Sequence, residues 1–269
     1  MSEQFVDWSL TDVCADLCSS LDDEAFLVNP SSTVIDALAE YGIEHPDRFS
    51  SLQMLAEEGS LKQSLSRFTT ASRLADLIDQ ELLEIRYLPN PPKSSMAVDS
   101  DQVIVLIDAA DRVGTLSTSD GNFVAVVNET IEAKYRDAER YVLHTPAISR
   151  VETTLENRMG ADRRDTFINL VDAADSNGYQ VDEVTISLLV AAKHQDLLYD
   201  ISKWGEDIGL ASKATFSRKK SELEALDVLD TESVPIDVGR PRLRLRFAEP
   251  YLEQAKPVEV VEDISSRFK

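Results

Sequence analysis

Arginine and apolar residues alternate near the carboxyl end of the sequence. The arginines are Arg240, Arg242, Arg244 and Arg246, and the apolar residues are Pro241, Leu243, Leu245 and Phe247. Successive side chains of a β-strand point to opposite faces, so this spacing predicts four guanidinium groups on one face. Guanidinium groups bind phosphates and base edges, and the pattern therefore indicates a contact with nucleic acid.

The same arginines have a second interpretation within the protein itself. A preceding strand would carry Asp230 and Glu232, and Asp237 would lie near the turn, so the arginines could form ion pairs across a β-hairpin. Each cross-strand pair contributes only about 0.2–1 kcal/mol. Ion pairing alone is therefore a weak reason for four arginines on one face, and we favour nucleic acid. Gly239-Arg240-Pro241 also weakly resembles an AT-hook core, which binds the minor groove.

A second basic segment precedes this strand. The pattern predicts a helix from Ser212 to about Leu226, with Ser212 as its N-cap. Phe216 has two interpretations, as a core residue or as a contact to a thymine methyl group. The residues that we predict to contact DNA are Ser212, Lys213, Thr215, Phe216, Arg218, Lys219, Lys220, Arg240, Arg242 and Arg244.

The elements around these residues follow a recognisable order. Apolar spacing predicts helices over 182–194 and 197–208, and Gly209 then ends the second helix before the basic one begins. A β-hairpin over 228–234 and 240–247 follows, turning near Asp237-Val-Gly239. This order predicts a winged helix-turn-helix domain over 181–249, in which the third helix enters the major groove.

The first half of the chain has a different pattern. Short apolar strands alternate with helices, which predicts a mixed α/β domain over 1–145 with a sensing or dimerisation role. Predicted strands are 25–28, 52–55, 83–88, 95–98, 103–107, 112–117 and 123–127, the last two joined by a turn at Asp120-Gly121-Asn122. Helices are predicted over 1–22 and 61–82. Residues 146–180 are predicted to be a helical connector, and 250–269 a polar tail with disorder over 254–269.

The charge distribution separates the carboxyl-terminal segment from the rest. The chain has 49 acidic and 27 basic residues, a net charge of −22. Residues 213–246 contain 8 basic and 6 acidic residues, so this window is +2 and the remainder is −24. Such acidity is tolerable in about 1 M salt, where the Debye length is only about 3 Å. We expect a cytoplasmic protein of a halophile, without a signal peptide or membrane segment.

No pattern in the sequence indicates catalysis. Phosphate-binding, dinucleotide-binding and nucleophile-elbow motifs are absent, and none of the three histidines has the His-x-Lys arrangement of phospholipase D enzymes. Cys14 and Cys18 share a helical face and are interpreted as packing residues. We therefore expect no enzyme activity, no metal and no cofactor.

The carboxyl-terminal motifs resemble known regulators. Ser212-Lys-Ala-Thr-Phe-Ser-Arg218 followed by Leu223-Glu-Ala-Leu226 resembles the recognition helix of archaeal TrmB and MarR-like winged-helix regulators. The longer block, from Leu198 through Leu245, resembles the haloarchaeal TbsP-like transcriptional regulators. The resemblance implies a DNA-binding transcription factor in central carbon metabolism. TrmB proteins place the DNA-binding domain first, the reverse of the order here, and no sugar-binding residues match.

Double-stranded DNA is the expected partner. Helices predicted over 129–141 and 147–176 are candidates for pairing two subunits, so we expect a homodimer that binds two half-sites. An effector is left open. The alternative function is a protein-interaction adaptor that uses the winged helix without sequence-specific DNA binding.

Overall fold

The computed structural model describes residues 7–8, 10–21, 25–49, 51–87, 89–90, 92–109, 112–179, 181–236 and 241–268. The chain divides into two compact units, Met1–Leu143 and His144–Lys269. Within the described residues, no helix is both long enough and apolar enough to cross a membrane.

The first unit is built on one mixed sheet. Its described strands are β1 (Asp7–Trp8), β2 (Ala25–Val28), β3 (Leu52–Ala56), β4 (Leu83–Tyr87), β5 (Ser95–Val98), β6 (Val103–Ala109), β7 (Arg112–Thr118) and β8 (Glu139–Arg140). Its described helices are α1 (Leu10–Ser20), α2 (Ser32–Glu44), α3 (Glu58–Leu65), α4 (Phe68–Asp79) and α5 (Gly121–Asp137), with a 3₁₀ turn at Pro46–Arg48. The strand order is β1-β7-β6-β5-β2-β3-β4-β8.

The connections explain which strands run parallel. β2, β3 and β4 are parallel neighbours because helical crossovers, through α2 and then through α3 and α4, return the chain to the same end of the sheet. β5, β6 and β7 follow one another through short connections and pair antiparallel. β2 therefore has a parallel neighbour on one side and the antiparallel β5 on the other.

Both faces of the sheet are covered, as β2 shows. Ala25 and Leu27 pack into a core that includes residues of α1, α2 and α4, whereas Phe26 and Val28 pack with residues of α5 on the opposite face. This alternation follows from the two-residue period of a strand. The layered α/β fold predicted for the first domain is confirmed.

Cys14 and Cys18 belong to the first of these cores. Both are buried and carry free thiols. Burial raises the pKa of the Cys14 thiol to about 12, with smaller contributions from Cys18 and Glu40. Cys14 is therefore held as an uncharged apolar packing residue, which agrees with the interpretation from sequence.

Three local predictions for this unit are wrong. Asp120 does not form a hairpin turn but caps α5, accepting a hydrogen bond from the Phe123 N–H at 2.9 Å, so residues 123–127 are helical. The helix predicted over 61–82 is two helices that meet at Ser66 and Arg67. Residues 7 and 8, predicted to be helical, form β1 beside β7.

The second unit is mainly helical. Its described elements are α6 (Ile148–Met159), α7 (Ala161–Ser176), α8 (Glu183–Lys193), α9 (Leu198–Ile208), α10 (Lys213–Ala225), β9 (Leu229–Val234), β10 (Arg242–Phe247), a 3₁₀ turn (Pro250–Glu253) and α11 (Pro257–Arg267). α8 lies at the centre, because its residues from Val184 through Ala192 are all buried.

α6 and α7 differ from the predicted connector because they pack into this unit. The indole Nε1 of Trp204 on α9 donates a hydrogen bond to Thr154 of α6 at 3.1 Å. The Trp204 ring also meets Phe167 of α7 edge-on, with 6.2 Å between the ring centroids. Arg163 of α7 binds both carboxylate oxygens of Asp196, between α8 and α9, at 2.9 and 3.1 Å. Residues 146–180 thus support the helix-turn-helix directly.

The predicted polar tail is also wrong, because it contains α11. Val260, Val261 and Ile264 are buried, a spacing that places one apolar face of the helix against its neighbours. Arg267 donates hydrogen bonds to the carbonyl oxygens of Leu226 and Asp227 at 3.2 and 3.0 Å. The last helix therefore satisfies carbonyl groups at the carboxyl end of α10.

Candidate nucleic-acid interface

The turn between α9 and α10 has the predicted geometry. Gly209 follows α9 with φ of 84°, a left-handed conformation that glycine adopts without steric cost. The Leu210 N–H donates to the Gly205 carbonyl at 2.8 Å. Ser212 then caps α10 by accepting a hydrogen bond from the Thr215 N–H at 3.2 Å. The predicted helix end and N-cap are both confirmed.

Phe216 holds α9 and α10 together from the inside. It is completely buried. Its ring lies against Gly205, where an added Cβ would be 2.5 Å from two ring atoms, so only glycine permits this approach of the helices. The prediction that Phe216 contacts DNA is wrong, because a side chain in this position cannot reach a base. The core interpretation is the correct one.

The exposed side of α10 carries one unpaired cation. Ala214, Ser217, Arg218 and Ser221 are exposed and recur at helical spacing, and we call them the outer side of α10. Within the part of the chain that the structure describes, no carboxylate forms an ion pair with Arg218. Its guanidinium is therefore available to a ligand, flanked by small residues that would let another molecule approach closely.

Lys213, in the first turn of α10, is accessible but neutralised. Its Nζ lies 2.7 Å from an Oε of Glu206 on α9, and both side chains are about two-fifths exposed. The hydrogen bond from Lys213 lowers the pKa of Glu206 and raises the pKa of Lys213. Any phosphate that binds Lys213 must compete with this carboxylate.

Lys220 serves the fold rather than the surface. Its Nζ binds Glu224 at 2.7 Å, with only 11% of the lysine side chain exposed. Glu224 also accepts a hydrogen bond from Thr231 of β9 at 2.9 Å. Lys220 therefore helps to hold the hairpin against α10, and its predicted DNA contact is wrong because the ammonium group points into the domain.

Lys219 is tied down in a similar way. It lies 3.0 Å from Asp182 and 3.1 Å from Glu222, with 19% of its side chain exposed. Its ammonium group also lies 5.7 Å from the centre of the Phe268 ring. These contacts direct Lys219 toward α8 and the end of α11, away from the outer side of α10.

The hairpin places its arginines as the alternation predicted. In the pairing of β9 with β10, Leu245 and Phe247 are buried, while the Arg242, Arg244 and Arg246 side chains are 34–40% exposed. Arg244 lies opposite Glu232, with 3.9 Å between charged atoms, and Arg246 lies 3.4 Å from Asp230 and 3.7 Å from Glu232. Arg244 and Arg246 thus form the ion pairs across the hairpin that were the alternative interpretation of the arginine pattern. Arg240 and the turn predicted near Asp237-Val-Gly239 lie outside the described residues.

Arg242 makes a different contact, with an aromatic ring. Its guanidinium stacks 3.7 Å from the centre of the Tyr199 ring, and a weaker ion pair with Asp200 spans 3.7 Å. Tyr199, in the first turn of α9, is 41% exposed and is close enough to Lys213 to raise its pKa slightly. Tyr199 therefore holds the Arg242 side chain of β10 against the first turn of α9.

Sequence reasoning missed Tyr199. The signal was its place outside the apolar stripe of α9, which Ile201, Trp204 and Ile208 form. A large aromatic residue on the exposed side of a helix next to a basic strand is a candidate for stacking. The contact itself depends on how the hairpin returns to α9, which a single sequence does not encode locally.

A short β-bridge fixes the position of the hairpin next to α9. Leu197 pairs with Arg244 as an isolated antiparallel bridge, and the Leu245 N–H donates to the Asp196 carbonyl at 2.9 Å. β10 is thus held on one side by β9 and on the other by the segment between α8 and α9. This arrangement holds the arginine strand in a fixed position relative to the helix-turn-helix.

Family models match the chain over nearly its full length. Residues 2–146 match the N-terminal domain of TbsP-like transcriptional regulators, and residues 147–265 match their C-terminal helix-turn-helix domain. The chain belongs to the TbsP-like family of transcriptional regulators. The family resemblance found in the sequence is therefore confirmed, as is the order of an α/β domain followed by a helix-turn-helix domain.

Among curated proteins, no match to this TbsP-like chain was found. One similar solved structure is TrmBL2, an archaeal chromatin protein described as having a novel mode of DNA binding, at 17% identity and a TM-score of 0.39. The match covers 52% of this chain and 54% of that one, so this chain spans about half the length of TrmBL2.

Two other solved structures are similar to part of the chain. They are Nuc from Salmonella typhimurium, a phospholipase D family member at 10% identity, and NucT from Helicobacter pylori at 11%. Each match covers 52% of this chain and nearly all of the other, with a TM-score of 0.37. Likeness at this level carries no argument about activity.

The charge of the TbsP-like helix-turn-helix unit is distinctive within the chain. Residues 144–269 contain 17 basic and 23 acidic residues, a net charge of −6, whereas residues 1–143 contain 10 basic and 26 acidic residues, a net charge of −16. On α10 and the hairpin, Lys213 pairs with Glu206, Arg242 with Asp200, and Arg244 and Arg246 with Glu232. These elements therefore offer oriented guanidinium groups without a large positive potential.

Proposed function

We propose that the chain is a transcriptional regulator that binds double-stranded DNA with sequence specificity through α10 and the β9–β10 hairpin. The observation that supports this most is the unpaired guanidinium of Arg218 on the outer side of a capped helix. In helix-turn-helix proteins the helix at this position enters the major groove. Arg242, stacked on Tyr199 in the first turn of α9, would extend the proposed surface onto the hairpin.

The residues have distinct proposed roles. Arg218 would read a base edge, since arginine binds the O6 and N7 of guanine with two hydrogen bonds. Ser212, Lys213 and Thr215 lie at the amino end of α10, where backbone N–H groups and the helix dipole favour a phosphate. Arg242 and Arg244 would contact the backbone or the minor groove alongside. Arg240 is retained in this proposal from its sequence position alone.

We further propose the biological setting that the sequence suggested. The net charge of −22 supports a haloarchaeal, cytoplasmic protein, and the family resemblance supports target genes in central carbon metabolism. A homodimer would present two copies of α10 to two half-sites one helical turn apart. The first unit would supply the dimer contact or respond to an effector.

The direct experiment compares Arg218→Ala with Arg150→Ala. Arg150 is an exposed arginine on α6, so its loss changes net charge equally without touching the proposed surface. Genomic fragments that the wild-type protein retains would be identified first, and affinities then measured by fluorescence anisotropy at fixed salt. We expect Arg218→Ala to weaken specific binding about tenfold or more, since a bidentate base contact contributes about 1–3 kcal/mol.

Equal affinity of Arg218→Ala and wild-type protein for the selected fragment would contradict the assignment of Arg218. The pairing of most cations on α10 and the hairpin with carboxylates favours one other candidate, an adaptor that docks a protein. An adaptor would retain no specific fragment, and its weak retention of DNA would not depend on sequence. A DNA-binding regulator would instead show specific retention that falls as salt rises.

A further inference from the structure

A cavity in the first unit lies between α1, α2 and the 3₁₀ turn that follows α2. Its volume is about 460 Å³, and the residues that line it are Ala15, Asp16, Ser19, Tyr41 and Arg48. Binding sites for small molecules typically have volumes of about 300–1,000 Å³. The cavity is therefore large enough for a small metabolite, and four of its five lining side chains are polar.

Arg48 gives the cavity a positive group in a strongly acidic unit. Of the other basic residues in this unit, Lys62, Arg67 and Arg86 are held by carboxylates at 2.7–2.9 Å. Arg48 is exposed, and within the described part of the chain it forms no ion pair. Among the residues that line the cavity, Arg48 is the cation, so in a unit of net charge −16 it would favour an anionic group on a bound ligand.

Tyr41 supplies a second donor to the same space. The residue is only 5% exposed, and it lines the cavity together with Arg48. Burial raises the pKa of Tyr41, and Arg48 is near enough to oppose that shift. The hydroxyl therefore stays protonated and can donate a hydrogen bond, and it lines the same cavity as the Arg48 guanidinium.

The opposite wall, on α1, offers acceptors. Asp16 and Ser19 lie one helical turn apart, so they share a face. The Ser19 hydroxyl donates to the Asp16 carbonyl at 3.1 Å, which leaves its oxygen free to accept a hydrogen bond. The carboxylate of Asp16 accepts as well, and these groups suit the hydroxyls of a ligand rather than its negative charge.

We propose that this cavity binds a small organic anion that also carries hydroxyl groups, with Arg48 and Tyr41 holding the anionic group and Asp16 and Ser19 the hydroxyls. The charged group would be a carboxylate or a phosphate, since arginine binds both in the same planar geometry. The proposal is independent of DNA binding, because the ligand contacts only the first unit.

The test is isothermal titration of the full-length protein, without DNA, against citrate and separately against glycerol 3-phosphate at constant ionic strength. The two probes distinguish a carboxylate from a phosphate. Arg48→Ala should weaken binding roughly tenfold or more, because hydrogen bonds to charged groups are among the strongest. Tyr41→Phe should weaken it less, and Arg136→Ala, an exposed arginine on α5, should leave it unchanged.

Two results would overturn the proposal. One is no saturable binding of either probe. The other is equal binding by Arg48→Ala and wild-type protein. Thermal unfolding of each variant without ligand separates lost binding from lost structure: Arg48 is exposed, so Arg48→Ala should unfold at the same temperature as the wild type. Arg48→Lys, which keeps the charge but not the planar fork, should recover part of the affinity.

Discussion

The two sides of α10 use the same residue types for opposite purposes. On the outer side, Arg218 is exposed and forms no ion pair within the described residues, whereas on the inner side Lys220 is buried against Glu224 and Thr231. The two residues are separated by only one position. The number of basic residues between Lys213 and Lys220 is therefore a poor guide to how many of them can contact DNA. Some of these residues stabilise the domain instead.

Phe216→Ala should have the largest effect, because it removes the inner side's central contact. We expect the free energy of unfolding to fall by about 3–5 kcal/mol, the usual cost of deleting a fully buried aromatic side chain. Chemical denaturation followed by circular dichroism measures this loss. A loss below about 1 kcal/mol would mean that Phe216 does not pack on Gly205 as described.

The residues on the inner side of α10 could have been predicted from the sequence. Phe216 and Leu223 mark the apolar positions of α10, and Lys220 lies four residues after the first and three before the second. Helical spacing therefore places Lys220 on the buried side, next to Glu224 one turn later. The prediction that Arg218, Lys219 and Lys220 form one surface overlooked this periodicity. The N-cap, the glycine turn and the hairpin strands were predicted correctly.

The first unit shows a different limit of structure prediction from local sequence. Val124, Val126 and Val127 favour a strand by their branching, and Asp120-Gly121 favours a turn. The same aspartate is also a good N-cap, and the helical spacing of Val124, Ile131 and Tyr135 covers one face of the sheet. Tertiary packing decided between two locally acceptable structures, so the sequence signals alone could not.

Lys220→Ala tests whether the inner side of α10 stabilises the domain without contacting DNA. Removing the ammonium group leaves Glu224 with Thr231 alone, and we expect a loss of about 1–3 kcal/mol in the free energy of unfolding. DNA affinity per folded molecule should not change. The measurement pairs a denaturation curve with anisotropy at a temperature where the variant is folded. Weakened DNA binding at unchanged stability would show that Lys220 contacts DNA after all.

Arg242→Ala tests whether stacking makes an arginine more available than ion pairing does. Arg242 rests on the Tyr199 ring, while Arg246 on the same strand is shared by Asp230 and Glu232. We expect Arg242→Ala to weaken DNA binding roughly three- to tenfold, in line with the loss of one guanidinium contact held in place by a ring. Arg246→Ala is the matched control and should have a smaller effect.

Tyr199→Phe sharpens that result, because it keeps the ring and removes only the hydroxyl. Affinity close to wild type would assign the role of Tyr199 to the stack, and a loss as large as that of Arg242→Ala would assign it to the hydroxyl. An effect of Arg246→Ala equal to that of Arg242→Ala would contradict the distinction between stacked and paired arginines on β10.

Glu206→Gln should give the smallest change, and in the opposite direction. Without the carboxylate, Lys213 is released at the start of α10 and becomes free to bind a phosphate. We expect DNA affinity to rise about two- to fivefold and the salt dependence to steepen by about one unit of log–log slope, the value for one added phosphate contact. Glu129→Gln, an exposed glutamate on α5, controls for the loss of one negative charge.

Mild acid should not reproduce the effect of Glu206→Gln. Because Lys213 holds the pKa of Glu206 below its usual value, the carboxylate stays ionised as the pH falls from 7 to about 5. The ion pair therefore persists over this range, and Glu206 should add nothing to any pH dependence of DNA binding there. If Glu206→Gln leaves both the affinity and the salt slope at the Glu129→Gln values, Lys213 makes no phosphate contact. The DNA-binding surface would then be limited to Arg218 and the hairpin.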